Sequence, residues 1–107
     1  MELQIKGRNL EVSETMRAFA ERKLAKVGRM MNDSTRVELE LTVEKNPSVA
    51  ANQVAEATVW LKGRTLRCKE ASRDMKASID ELAEKLQREL AELRDKRIAK
   101  RRAPVEE

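Results

Sequence analysis

The sequence predicts an α+β domain of two layers, a four-stranded sheet with two helices packed on one face, in the order β-α-β-β-β-α. Three observations predict it. Four stretches alternate apolar with polar residues, the period of a strand that buries one face and wets the other. Two further stretches repeat apolar residues at helical spacing. Every one of these elements has a single apolar side, so the economical packing covers one face of the sheet with both helices.

The elements follow in order. Leu3 and Ile5 alternate with Glu2, Gln4 and Lys6 in a short first strand that is expected to end in a turn at Gly7. Ser13 is a candidate N-cap and Glu14 suits the positive end of the helix dipole, ahead of Met16, Phe19, Ala20, Leu24, Val27 and Met31 on one helical face. That helix should end between Gly28 and Asn32. Val37, Leu39, Leu41 and Val43 alternate with Arg36, Glu38, Glu40, Thr42 and Glu44 in the clearest strand of the chain. Lys45 to Gln53, with Pro47, is a polar connection to a third strand whose Ala55, Ala57, Val59 and Leu61 face inward and whose Trp60 faces out. Lys62-Gly63 is a hairpin turn into a fourth strand, with Leu66 and Cys68 inward and Thr65, Arg67 and Lys69 outward. From a cap expected at Ser72, Met75, Ile79, Leu82, Leu86, Leu90 and Leu93 line one side of a long second helix that runs to about Arg101. The helix between the first two strands is a right-handed crossover, which makes those strands parallel neighbours.

The chain has 107 residues, room for one core. Residues 1–102 are read as a single domain, and Ala103 to Glu107 as a disordered tail or the start of a linker. No apolar run approaches the roughly 20 residues that span a bilayer, and the first residues do not resemble a signal peptide. A soluble, cytoplasmic protein with no membrane partner is expected. The lone Cys68 cannot form an internal disulfide, and its inward position predicts an inert thiol.

An enzyme needs groups that transfer protons, attack carbon or phosphorus, or hold a metal or cofactor. The chain has no histidine, one inward cysteine and three isolated glycines, so Cys-His and Ser-His arrangements, a zinc cluster and a glycine-rich phosphate loop are all missing. No catalytic residue, metal, cofactor or small-molecule substrate is expected.

The placement of cations says more. Arg22, Lys26 and Arg29 are spaced i, i+4, i+7 and form a stripe beside the apolar face of the first helix, with Lys23 between stripe and core. From Lys85 to Arg102 eight Lys or Arg stand against three acids, a balance of 8 − 3 = +5 that exceeds the +4 of the whole chain. The spacing of Leu86, Leu90 and Leu93 continues as Arg97, Lys100 and Arg101, so the buried stripe turns cationic where the core ends. A helix of that length outruns an eight-residue strand, and its overhanging end, flanked by Lys85, Arg88, Arg94 and Lys96, suits a polyanion. No base-reading motif accompanies these cations, so shape and phosphate recognition of structured RNA is the expected mode.

With these elements in place, the sequence resembles the ribosome hibernation promoting factor family, which includes the protein Y type of ribosome-associated inhibitors. The resemblance runs through MELQIKGRNLEVSETMRAFAERKLAKV, the strand pair around AEATVWLKGRTLRC, and most specifically DMKASIDELAEKLQRELAEL. The last matches the family pattern of Asp-Met, an aromatic, two small residues and Ile-Asp before an apolar helix with Lys-Leu and basic residues. The resemblance implies a fold similar to a double-stranded RNA-binding domain. It also implies a site in the mRNA channel of the small ribosomal subunit, where such a protein blocks mRNA and the A- and P-site tRNAs and keeps ribosomes silent under stress. Positions matching the family's ribosomal-RNA contacts are Lys23 and Lys26 on the first helix and Lys85, Arg88 and Lys96 on the second. Charge placement alone adds Arg22, Arg29, Arg97, Lys100 and Arg101. Two positions depart from the pattern: Lys76 stands where an aromatic is usual, and Glu92 where a basic residue is common. The family has short members and long ones with an added dimerising domain, and the tail APVEE fits either. The domain itself is expected to be monomeric away from the ribosome.

Two other readings share these features. A generic double-stranded RNA-binding module would have the same fold class and basic surface. A protein-interaction adaptor could pair the Leu82, Leu86, Leu90, Leu93 stripe with another helix, although that would leave the inner face of the sheet uncovered.

Overall fold

The computed structural model describes residues 1–30 and 35–102, and the side chains of the second helix as far as Arg94. The elements are β1 (Glu2–Arg8), α1 (Glu14–Gly28), β2 (Arg36–Val43), β3 (Gln53–Leu61), β4 (Arg64–Ser72) and α2 (Met75–Arg102). They form one sheet in the order β1-β2-β3-β4. β1 runs parallel to β2, as a crossover through α1 requires, and β2, β3 and β4 pair antiparallel as a meander.

The registers put Val37, Leu39 and Leu41 beside Val59, Ala57 and Ala55, and Val59 and Ala57 beside Leu66 and Cys68. These side chains form the inner face. Ala20, Leu24 and Val27 of α1 and Ile79, Leu82 and Leu86 of α2 close over it, all fully buried. At about 25 cal/mol per Å² of apolar area, residues of this kind supply most of the stabilisation. With no aromatic among its fully buried side chains, the core is thin.

Two boundaries differ from expectation. β1 continues through Gly7 to Arg8, and the turn falls at Asn9, which adopts φ 60°. Gly7 is there because the chain returns over it: a β-carbon at that position would strike the Leu10 carbonyl and the Val12 side chain. The cap of α2 is Asp74 and not Ser72, since Asp74 Oδ2 accepts from the Ala77 N–H at 3.1 Å and its carbonyl accepts from Ser78 N–H at 3.0 Å. Ser72 ends β4 instead. Its Oγ accepts from Asp74 N–H at 3.2 Å and lies 2.7 Å from Oγ of the fully buried Ser78, which donates to the Gln53 carbonyl at 2.6 Å. This small polar knot satisfies buried groups where α2 leaves the sheet.

The other termini follow expectation. Ser13 caps α1 by accepting from Met16 N–H at 3.1 Å. Gly63 takes φ 81° in the two-residue turn between the paired Leu61 and Arg64, a conformation glycine adopts without steric cost. Met31 and Asn32, expected near the end of α1, and residues 103–107 lie outside the described residues.

Candidate nucleic-acid interface

The two helices lie side by side and run parallel. Phe19 of α1 meets Lys76 of α2, and Lys23 meets Asp80, so equal steps along both chains keep the partners level. Carrying that offset forward brings Arg88 level with the end of α1, within a turn of Arg29. Lys26, Arg29 and Arg88, all exposed, therefore gather toward one end of the helical layer. Arg22 belongs to the same stripe one turn back.

α2 is anchored to β4 through Lys85 to Glu70 and Glu89 to Cys68, so it runs antiparallel to that strand. The basic end of α2 therefore points toward the β3–β4 hairpin. With 28 residues α2 is about 42 Å long, against about 30 Å for the nine-residue β4. Burial fades accordingly from Leu86 at 0% to Leu90 at 7% exposure, and Leu93 is half-buried. The side chains of Lys96, Arg97, Lys100 and Arg101 lie outside the described residues, while the backbone there is helical.

The structure separates the sequence-predicted cations into two groups. Arg22, Lys26, Arg29 and Arg88 are exposed and take part in none of the ion pairs among the described residues. Lys23 and Lys85 are half-buried and paired, Lys23 Nζ to Asp80 Oδ1 at 2.9 Å and Lys85 Nζ to Glu70 Oε2 at 3.5 Å. Partners for Lys85 were not expected, because Glu70 sits on a strand whose register with α2 no local pattern reveals.

One cluster was missed by sequence reasoning. Arg22, Lys23 and Lys76 all lie over the Phe19 ring, at 5.6, 5.5 and 5.6 Å from its centroid, and Asp80 is the acid among them. The ring attracts each cation through its negative face without neutralising it. Lys76 stands in the first turn of α2, which contains no acid and where the helix dipole disfavours a cation. The only signal available in sequence was the departure at Lys76 itself.

Burial, and then the hydrogen bond that its thiol donates to Glu89 at 3.4 Å, push Cys68 up to about 12, so the thiolate needed for nucleophilic attack is disfavoured. The described residues contain no group of three or more His, Cys, Asp or Glu placed to hold a metal. None of the described helices is long and apolar enough to cross a membrane.

The model of the family described as sigma 54 modulation protein / S30EA ribosomal protein matches residues 3–98. The ribosome hibernation promoting factor of Azotobacter vinelandii is 34% identical over 98 residues, covering 92% of this chain and 87% of that protein. The ribosome hibernation promotion factor of Picosynechococcus is 32% identical over 102 residues, covering 94% of this chain but 53% of its own length, so the chain spans about half of that relative. Among solved structures, the N-terminal domain of Protein Y from Thermus thermophilus superposes with a TM-score of 0.73 at 26% identity, covering 87% of this chain and 99% of that domain. Matched along nearly all of its folded length, the chain belongs to the sigma 54 modulation protein / S30EA ribosomal protein family, the family of the ribosome hibernation promoting factors.

Proposed function

We propose that this chain is a bacterial ribosome hibernation factor that acts in the cytoplasm by binding the small ribosomal subunit through ribosomal RNA. In this reading it occupies the channel for mRNA and the A- and P-site tRNAs and silences translation by steric block, with no chemical step. The relatives' names supply the ribosome. The observation that carries the mode of binding is the gathering of three exposed cations, Lys26, Arg29 and Arg88, which take part in no ion pair among the described residues, at one end of two parallel helices. Cations without internal partners lose no ion pair when they meet phosphate, and each phosphate neutralised releases counterions to solution. Residues 1–102 would act as one ribosome-binding unit, monomeric away from the ribosome.

The test is co-sedimentation of the purified protein with vacant ribosomes and separated subunits through a sucrose cushion, across a salt series, with a free RNA duplex as competitor. Saturable, salt-sensitive pelleting with the small subunit that resists the duplex is the expected result. Pelleting abolished by duplex would favour a general double-stranded RNA-binding module. Absence of pelleting at low salt would reject ribosome binding and leave the adaptor reading.

A further inference from the structure

The open face of the sheet, opposite the helices, carries a small aromatic and basic cluster at its β3–β4 hairpin end. From Lys62 to Arg73 the chain carries five cations (Lys62, Arg64, Arg67, Lys69, Arg73) and one acid, Glu70; of the cations on β4, Arg67 and Lys69 lie on the open face, and Arg64 shares the alternation of Leu66 and Cys68 toward the helices. Glu70 is turned to the helix side, where it holds Lys85. Among the described residues the five cations take part in no ion pair.

This strip adjoins the chain's single tryptophan. Trp60 lies directly across from Arg36 on β2 and Thr65 on β4, and Arg67 follows Thr65 by two residues on the same face. The Arg36 guanidinium stacks over the indole at 4.7 Å from its centroid, and the ring remains 37% exposed. An aromatic surface is thus flanked by guanidiniums on both neighbouring strands, with Lys62 at the adjoining hairpin. Of the acids on this face, Glu2 stands beside Arg36 across the β1–β2 pairing, Glu38 pairs with Lys6 at 3.1 Å, and Glu40 and Glu56 stand opposite each other farther along the strands. Glu56 faces Lys69, so Lys69 is the least available of the strip.

We infer that Trp60, Arg36, Arg67 and Lys62 form a binding platform for single-stranded RNA, separate from the helical surface. A π-face accepts any base, and cations beside it track the phosphates, the combination that binds single strands without reading sequence. Cations along an edge strand also discourage pairing with other chains. That role requires neither an exposed aromatic nor a guanidinium stacked upon it. The platform lies at the hairpin end, the end toward which the basic part of α2 also points, so the two cationic surfaces occupy the same end of the molecule on opposite layers.

Trp60 is its own reporter. Titration of the intact chain with a short uridine oligonucleotide is expected to quench its fluorescence in a saturable, salt-sensitive manner, while poly-glutamate of equal charge is not. Lys62→Ala with Arg67→Ala is expected to lower the salt slope by about 1.4, at 0.7 per lost single-strand phosphate contact. The variant Lys26→Ala with Arg88→Ala, which is expected to weaken subunit pelleting, is expected to quench like the parent. No quenching at low salt, equal quenching by poly-glutamate, or an unchanged slope in the Lys62/Arg67 variant would overturn the platform. Because subunit pelleting is not its readout, the platform and the ribosome reading can fail separately.

Discussion

Lys23 Nζ and Asp80 Oδ1 lie 2.9 Å apart and tie α1 to α2 across their parallel contact. The pair is partly exposed, 31% for Lys23 and 49% for Asp80, so its contribution to stability is small, at most about 1 kcal/mol. Its effect on binding is larger in consequence, because Asp80 holds a cation that would otherwise meet phosphate. Asp80→Asn is expected to leave the melting temperature within a few degrees of the parent and to tighten polyanion binding. Weaker binding of that variant in a small-subunit titration would mean that Lys23 must be held in place to function.

Lys26 and Arg88 are exposed and take part in no ion pair among the described residues, so truncating them removes charge without removing packing. If each meets one phosphate, Lys26→Ala with Arg88→Ala lowers the slope of log affinity against log salt by about 2. Subunit co-sedimentation across a salt series measures it, and unchanged circular dichroism shows that the fold is intact. Lys85→Glu makes a poor probe by comparison, since it sets a carboxylate beside Glu70 and disturbs the α2–β4 contact.

The cations on the Phe19 ring give a prediction about Lys76. Removing one of three like charges, and one opposed to the helix dipole, is expected to raise stability slightly in Lys76→Ala, by a few tenths of a kcal/mol. Thermal unfolding in low and high salt decides the point. A gain that vanishes in salt is the signature of relieved repulsion, and a loss at both would show that Lys76 contributes by packing.

Element types, their order and the sheet topology were legible because period is a strong signal: Val37 to Val43 alternate without exception, and Met75 to Leu93 keep helical spacing. What could not be read depends on contacts between distant segments. Gly7 looked like a turn residue, yet it serves as a clearance for the Leu10 carbonyl. Ser72 and Asp74 are both good caps, and the choice was made by the polar knot in which Ser72 joins Ser78 and Gln53. For the site, charge positions were legible and charge availability was not. Lys23 and Lys85 match the family pattern as well as Lys26 and Arg88 do, but Asp80 and Glu70 engage them from other elements.

The two constrained glycines differ in cause and so in expected remedy. Gly7→Ala forces a β-carbon against backbone and is expected to cost on the order of 1–3 kcal/mol in chemical denaturation. Gly63→Ala meets no atom within 4 Å but must hold φ 81°. Its cost is expected to be about 1 kcal/mol, and Gly63→Asn to recover part of it, because asparagine tolerates the left-handed region.

Cys68 supplies a pH test. Its pKa is raised from 9.0 to about 12, chiefly by burial and then by the hydrogen bond to Glu89. A raised folded-state value means that the folded thiol keeps its proton where the unfolded one loses it. Its contribution is complete below pH 9 and is lost as pH rises toward 12. Alkylation at pH 8 is therefore expected to be slow in the native protein and rapid in urea, and Cys68→Ala is expected to flatten the alkaline fall in stability between those limits.

The parallel pairing of β1 has a consequence for the order of assembly. β2, β3 and β4 are joined to one another directly and can zip from the two-residue hairpin outward, whereas β1 reaches β2 only after α1 has crossed the sheet. Contacts that close longer loops form later, and β1 contributes no fully buried side chain to reward its docking. The amino-terminal strand is thus the last piece to join and the first to leave. Its amides are expected to exchange with solvent through local opening well before those of the β2–β3 ladder.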